Sequence, residues 1–311
     1  MNFSLTTKHL PCLILTLIVT SFFPACVIDD TTPNAIPSHN YPSFEALFKD
    51  SLYQVENQTI NAAESVDLNS TFNTNLKLTE NSLLNSNGEV VSGAVEVQLI
   101  ELLKKSDLIM SGLSMVRNNG TLLELAGGFS VTAWQNQEQL DFNGTIELDF
   151  DDPGVLSNQN GDLSVFYCAT DSSPLEKAAA DQSSVELVGD RYELTGRQIG
   201  WVLAAQDFVP TNGTTSLSLN SNLNETEVMD ERAYVLFNDF TGVLSLPKNG
   251  STFSTIGLPI GQSATIVMIA FDQQKFYIAT EEITISENQS LGMVLQGYPV
   301  VDFVTLLKAI D

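Results

Sequence analysis

"GAVEVQLIE", residues 93–101, decides the fold class. Val95, Val97 and Leu99 fall on one face, with Glu96, Gln98 and Glu101 largely apart from them. That two-residue period belongs to a β-strand with one buried face. "GGFSVTAWQNQEQLDF", residues 127–142, repeats it: Phe129, Val131 and Ala133 share one face, and Ser130, Thr132 and Trp134 share the other. "GTIELDF" (144–150) is a further strand, and "YELTGRQIGWVLAAQDF" (192–208) supplies two more, separated near Gly196. Asn87-Gly88 and Ser92-Gly93 mark turns between such runs.

The same texture continues to the C-terminus. "RAYVLFN", "FTGVLSL", "SATIVMIAF", "KFYIATEEITI" and "SLGMVLQG" are strand candidates. "SATIVMIAF" (263–271) is apolar on both faces, as suits the central strand of a sandwich, and "DQQK" (272–275) is the loop of a hairpin. Only "VDFVTLLKAI" (301–310) has helical spacing, at Phe303, Leu306, Leu307 and Ile310, with Asp302 suited to cap its start. The expectation is an all-β chain: an N-terminal β-sandwich region over 53–222, then a C-terminal β-sandwich with a short terminal helix over 223–311. Trp201, in phase with Ile199 and Leu203, reads as core.

Ahead of this body stands "LPCLILTLIVTSFFPAC" (10–26), apolar from Leu13 to Phe23 except for Thr16, Thr20 and Ser21. The run suits a signal-peptide core and is shorter than the roughly 20 residues of a spanning helix. Ala25 is the small residue before a cleavage site, and Cys26 would become the new N-terminus. The segment resembles a bacterial lipoprotein signal (residues 1–25), in which that cysteine receives acyl chains, although Phe23 and Pro24 depart from the usual box. Asp29 and Asp30 resemble the acidic signal that sends Bacteroidetes lipoproteins to the outer face of the outer membrane; a periplasm-facing position is the alternative. Residues 26–52 read as a tether, with Pro33, Pro37 and Pro42 in its low-hydrophobicity stretch. Extended at roughly 3 Å per residue, that stretch spans about 50 Å. "DTT" at Asp30 and "DSL" at Asp50 resemble the Bacteroidetes O-glycosylation acceptor, which points to Thr31 and Ser51.

Charge narrows the partners. The chain carries 13 Lys and Arg against 38 Asp and Glu, a net charge of −25. Without residues 1–25 there are 12 basic residues against the same 38 acids, a balance of −26. Such a surface repels nucleic acid and anionic lipid, so the expected membrane contact is the N-terminal lipid. The two histidines are His9, in the signal, and His39, in the tether. A body without histidine has no Ser-His-Asp or Cys-His chemistry and no His-based zinc site. Cys168, in the apolar run "LSVFYCAT", reads as a buried thiol. These features argue against an enzyme.

A wider resemblance rests on Val91, Gly93, Val95, Val97, Glu101, Lys105, Asp107, Ile109, Leu123, Gly127, Gly128 and Ala133, and on the Tyr…Gly-Trp…Asp-Phe order of 192–208. On these, residues 55–290 resemble a group of uncharacterised Bacteroidetes surface lipoproteins. Ala204, Ala205 and Gln206 stand where the group often has polar and basic residues. The resemblance implies β-sandwich domains, loosely Ig-like or ZU5-like, with the Ig-like one over 223–311, and it brings no established activity with it.

Two features bear on ligands. "DFDDPGVLSNQNGD" (149–162) offers oxygens from Asp149, Asp151, Asp152, Asn160 and Asp162 to a hard cation such as Ca²⁺, and equally reads as a solvated acidic loop. Trp134, on the polar phase of its strand, suits stacking on a sugar or partner protein, or packing beneath a loop. The function expected is a non-enzymatic interaction or structural module at the cell surface, with a protein or glycan partner and no required cofactor. The alternative is a carbohydrate-binding accessory protein or a weak carboxylate-pair glycosidase.

Overall fold

The computed structural model describes residues 41–51, 55–153, 156, 162–168, 175–223, 228–272 and 275–310. It is all-β with three short helices.

Strands are numbered in chain order. The first sandwich has one sheet in the order β1 (Val55–Asn61), β5 (Ala94–Leu102), β6 (Leu123–Gln135), β14 (Gly200–Asp207), β10 (Ser164–Cys168) and β11 (Glu176–Lys177), with β7 (Glu138–Gln139) hairpinned onto β6. Its other sheet runs β12 (Ser184–Val188), β13 (Arg191–Gly196), β9 (Ile146–Asp151), β3 (Asn75–Leu78) and β2 (Val66–Asn69). A small ribbon joins β4 (Leu83–Leu84) to β8 (Asp141–Phe142). Val95, Val97, Leu99, Phe129, Val131 and Ala133 pack against Leu76, Leu148, Phe150 and Leu194 of the other sheet. These are the faces that alternation assigned inward.

The second sandwich places β18 (Lys248–Asn249), β19 (Thr252–Pro259), β15 (Thr214–Ser221) and β22 (Gln289–Met293) against β17 (Val243–Leu246), β16 (Asp230–Phe237), β20 (Ser263–Phe271), β21 (Phe276–Thr284) and β23 (Gln296–Tyr298). The strand pairs are antiparallel except β15 with β22. Leu217, Leu219 and Phe253 meet Val235, Ile266 and Met268 in its interior.

A third core lies between the sandwiches. Leu123, Leu125, Leu203 and Phe166 of the first share a buried cluster with Tyr234, Leu236, Val267 and Ile269 of the second. The helices α1 (Phe44–Ser51), α2 (Lys105–Ser111) and α3 (Val300–Lys308) fill the same layer through Phe44, Leu47, Ile109 and Phe303. Backbone hydrogen bonds cross it from Met115 N to Val243 O (2.8 Å) and from Leu125 N to Thr241 O (2.8 Å). The double-sided burial of β6 and β20 therefore has one cause: each strand has its own sandwich core on one face and the joint on the other.

Several expectations are corrected here. Residues 44–51, assigned to the tether, form α1, with Phe44, Leu47 and Phe48 buried. Residues 214–221, assigned to the first region, are β15 and pair with β19 and β22 of the second sandwich. Lys105, Asp107 and Ile109 lie in α2, where the Asp107 carboxylate accepts the backbone N–H groups of Leu103 and Lys104, and Gly112 closes the helix at φ 72°. Pro299, rather than Asp302, stands at the start of α3, and Asp302 lies in its first turn. Leu306 is exposed while Phe303 and Leu307 are buried. Trp201 and Leu203 join the joint core, but Ile199 packs on the first sandwich's interior, because Gly200 at φ 107° breaks the alternation between them.

Candidate functional site

The acidic segment 149–162 does not close around one point. Asp149 and Asp151 project from the outer face of β9, whose alternate residues Leu148 and Phe150 point into the core. On β13, Arg191 ion-pairs both carboxylates and donates to the carbonyl oxygens of Asn73 and Asp149. Asn73 also donates to both oxygens of Asp151, at 3.1 and 3.0 Å. Asp152 accepts from the Tyr192 phenol, whose pKa is raised by burial first and then by that carboxylate's charge. Asp162 lines a cleft to which Asp149, Asp151 and Asp152 do not contribute, and Asn160 lies outside the described residues. Among the described residues no three Asp, Glu, His or Cys side chains are grouped to hold a metal ion.

Trp134 is 36% exposed on the outer face of β6. It stands between Glu96 of β5 and Gln139 of β7 in register, and its indole N–H reaches the Thr132 hydroxyl at 3.3 Å. The ring is thus open to solvent and flanked by polar groups. Cys168 is only 4% exposed. Cys26 and Thr31 lie outside the described residues, and Ser51 is the last residue of α1.

Buried carboxyls stand out in a chain whose acids are mostly solvated. Glu101, at the end of β5, lies near Thr74 and accepts a hydrogen bond from Ser70 at 3.1 Å. Burial pushes its pKa up, against those hydroxyls, and the charges of Glu56 and Asp107 push the same way. Glu124 is 1% exposed and sits opposite Gln206, where β6 and β14 pair beyond a bulge at Ala204 and Ala205. The Gln206 carboxamide donates to Glu124 Oε2 at 2.7 Å. Its own Oε1 is buried and meets no hydrogen-bond donor among the described residues.

That pair forms part of the wall of a cleft of about 720 Å³ between the sandwiches. Ser164, Phe166 and Lys177 of the first sandwich line it, together with Asp239 and Gln262 of the second. Asp207 lies on the same wall and is held by Arg117 at 2.9 Å, while Arg117 covers the Phe166 ring at 5.8 Å. Sequence reasoning missed Glu124, Gln206, Asp207 and Asp239 as a group. The available signal was Glu124 itself, an acid inside the apolar run "LLELAGGF".

No family model matches the chain, and no curated protein aligns with it significantly.

Proposed function

We propose that this chain is an exported, lipid-anchored protein of the outer membrane whose β-sandwich body serves as a non-enzymatic interaction or structural module at the cell surface. The observation that carries the reading is the place of α1. The helix that follows the tether is built into the core shared by both sandwiches, through Phe44, Leu47 and Phe48. An anchor at Cys26 would then pull on the joint of the body, and load would spread into both sandwiches. The apolar run ending in Ala25-Cys26 and the prolines that follow support the anchor. The −26 balance of the processed chain suits a solvated module held off an anionic membrane.

The test is detergent-phase partitioning of the full chain and Cys26→Ser, with protease treatment of intact cells. The wild type should enter the detergent phase and be cleaved on intact cells, and the variant should be soluble or unprocessed. Equal partitioning of the two overturns the anchor; a body protected from protease until the envelope is opened overturns the surface position. Mass analysis of residues 26–51 tests Thr31 and Ser51 as glycan acceptors.

A second reading, as a carbohydrate-binding accessory protein, is favoured by Trp134. An exposed indole flanked by Glu96 and Gln139 matches the apolar face and hydroxyl rim of a sugar ring. A glycan array with wild type and Trp134→Ala separates the readings: signal lost with the indole supports sugar binding, and no signal leaves the protein-partner module.

A further inference from the structure

We propose that the free edge of β21 is a docking site for an extended, basic peptide segment of a partner protein, which pairs with it as an added strand and lodges apolar side chains in the groove beside it. The inference rests on the interaction-module reading and names the class of partner. Its test uses the purified chain, so it can fail while the anchor and the surface position stand, and they can fail while it stands.

β21 outruns its neighbour. Asp272 N–H donates to Lys275 O (3.1 Å) at one end of the β20–β21 hairpin, and Ile285 N–H donates to Gln262 O (2.9 Å) at the other. In an antiparallel ladder such bonds recur at every second residue, so the odd-numbered residues of β21 bond toward β20. Phe276, Ile278, Thr280, Glu282 and Thr284 turn their N–H and C=O groups the other way. β23 pairs with Phe276 and Ile278 through Tyr298 and Gln296 and goes no further. It is the last strand of its sheet, so among the described residues no strand meets Thr280, Glu282 or Thr284 on that side. An edge of this kind is a template for one more strand.

A groove of about 450 Å³ opens where β23 stops. α3 contributes Leu306 and Ile310 to its wall, and the end of β22 contributes Met293, with Val294 just beyond. Val294 is 66% exposed and Leu306 39%. These side chains offer apolar contact to a chain laid along the edge, and Glu281 supplies the charge of the lining.

Charge then selects the occupant. Residues 276–298 hold Glu281, Glu282 and Glu287 and no lysine or arginine. A second copy of this chain would lay one acidic edge on another. Antiparallel pairing centred on Glu282 puts that residue opposite itself, and like charges so placed are destabilising. A segment carrying lysine or arginine meets complementary charge on the very strand that supplies the free backbone groups.

Titration of the purified full chain with a capped peptide of alternating lysine and valine tests the proposal, with amide hydrogen exchange as a second readout. Saturable binding is expected, together with slowed exchange over residues 280–284. Glu282→Lys should weaken binding about tenfold, and Leu306→Gln should weaken it as well. Glu193→Lys, at an exposed acid of β13, controls for diffuse attraction and should change it little. A capped peptide of alternating glutamate and valine should not bind. Absence of saturable binding by the lysine peptide overturns the site, as does slowed exchange confined to other strands or an equal loss in Glu282→Lys and Glu193→Lys. Exchange over 280–284 that slows with protein concentration alone would assign the edge to a second copy and overturn the basic partner.

Discussion

Arg232 on β16 covers the ring of Phe44 on α1, its guanidinium carbon 5.2 Å from the ring centroid, and ion-pairs the neighbouring Glu45. One residue of the second sandwich thus holds both the apolar and the charged side of the first helix. Asp230, at 2.9 Å, holds the guanidinium from its own strand. Phe44 also meets Phe271 edge-on at 5.0 Å and stacks on Phe48 at 5.4 Å. The helix is therefore part of the joint.

Phe44→Ala should cost about 3–5 kcal/mol, as expected for emptying a buried aromatic site. Because the joint core contains residues of both sandwiches, wild type and variant should each unfold in one calorimetric transition. Two separated transitions in the wild type would show that the sandwiches are independent.

Acidification should loosen the same contact. Burial is the largest single influence on Glu45 and tends to raise its pKa, but hydrogen bonds from Arg232, its own backbone N–H and Ser43, with the Arg232 charge, together outweigh it and hold the pKa below the ordinary glutamate value. A depressed folded-state pKa gives stability that is present above the unfolded pKa and lost as pH falls through the folded one. Glu45 is largely exposed, so the contribution is below about 1 kcal/mol. Melting curves of wild type and Glu45→Gln should differ at neutral pH and converge in acid.

Glu101 should behave in the opposite sense. Its folded-state pKa is raised by burial, so stability falls as pH rises from the unfolded through the folded pKa. Glu101→Gln keeps an acceptor for the Ser70 hydroxyl and removes the buried charge. It should raise the melting temperature at pH 7 and lose that advantage below the ordinary glutamate range. A variant less stable than wild type at pH 7 would mean the ionised carboxylate is needed.

Removal of Arg191 tests the acidic strand face. Arg191→Ala should cost about 1 kcal/mol, since its partners Asp149 and Asp151 are partly exposed. It would also leave two carboxylates side by side on β9. Millimolar calcium should leave the wild-type melting temperature unchanged and raise that of Arg191→Ala. Calcium stabilisation of the wild type would show that Arg191 does not satisfy these acids.

Gly127 marks a close approach. A Cβ there would lie 2.5 Å from Cε2 of Phe150, across the first sandwich's interior. Gly127→Ala should cost about 1–3 kcal/mol by overpacking, and Phe150→Leu should recover part of that loss. Lack of recovery would point to backbone rather than ring strain.

Alternation by itself determined the all-β class, the inward residues of β5 and β6, the β20–β21 hairpin and the terminal helix. Each depends on chain neighbours, and a period of two or 3.6 residues is a local property. What covers a face is not local. β20 read only as apolar on both sides and β6 as apolar on one; the tertiary structure buries both faces of each through a second core between sandwiches. The short segment of α1 follows Pro33, Pro37 and Pro42 and becomes helix because Phe44, Leu47 and Phe48 find the joint. The acids divide in the same way. Arg191 reaches Asp149 across 42 residues of chain, and Gln206 meets Glu124 across 82. Composition supplied an excess of carboxylates, and strand pairing alone decided which are neutralised, which are buried and which line the cleft.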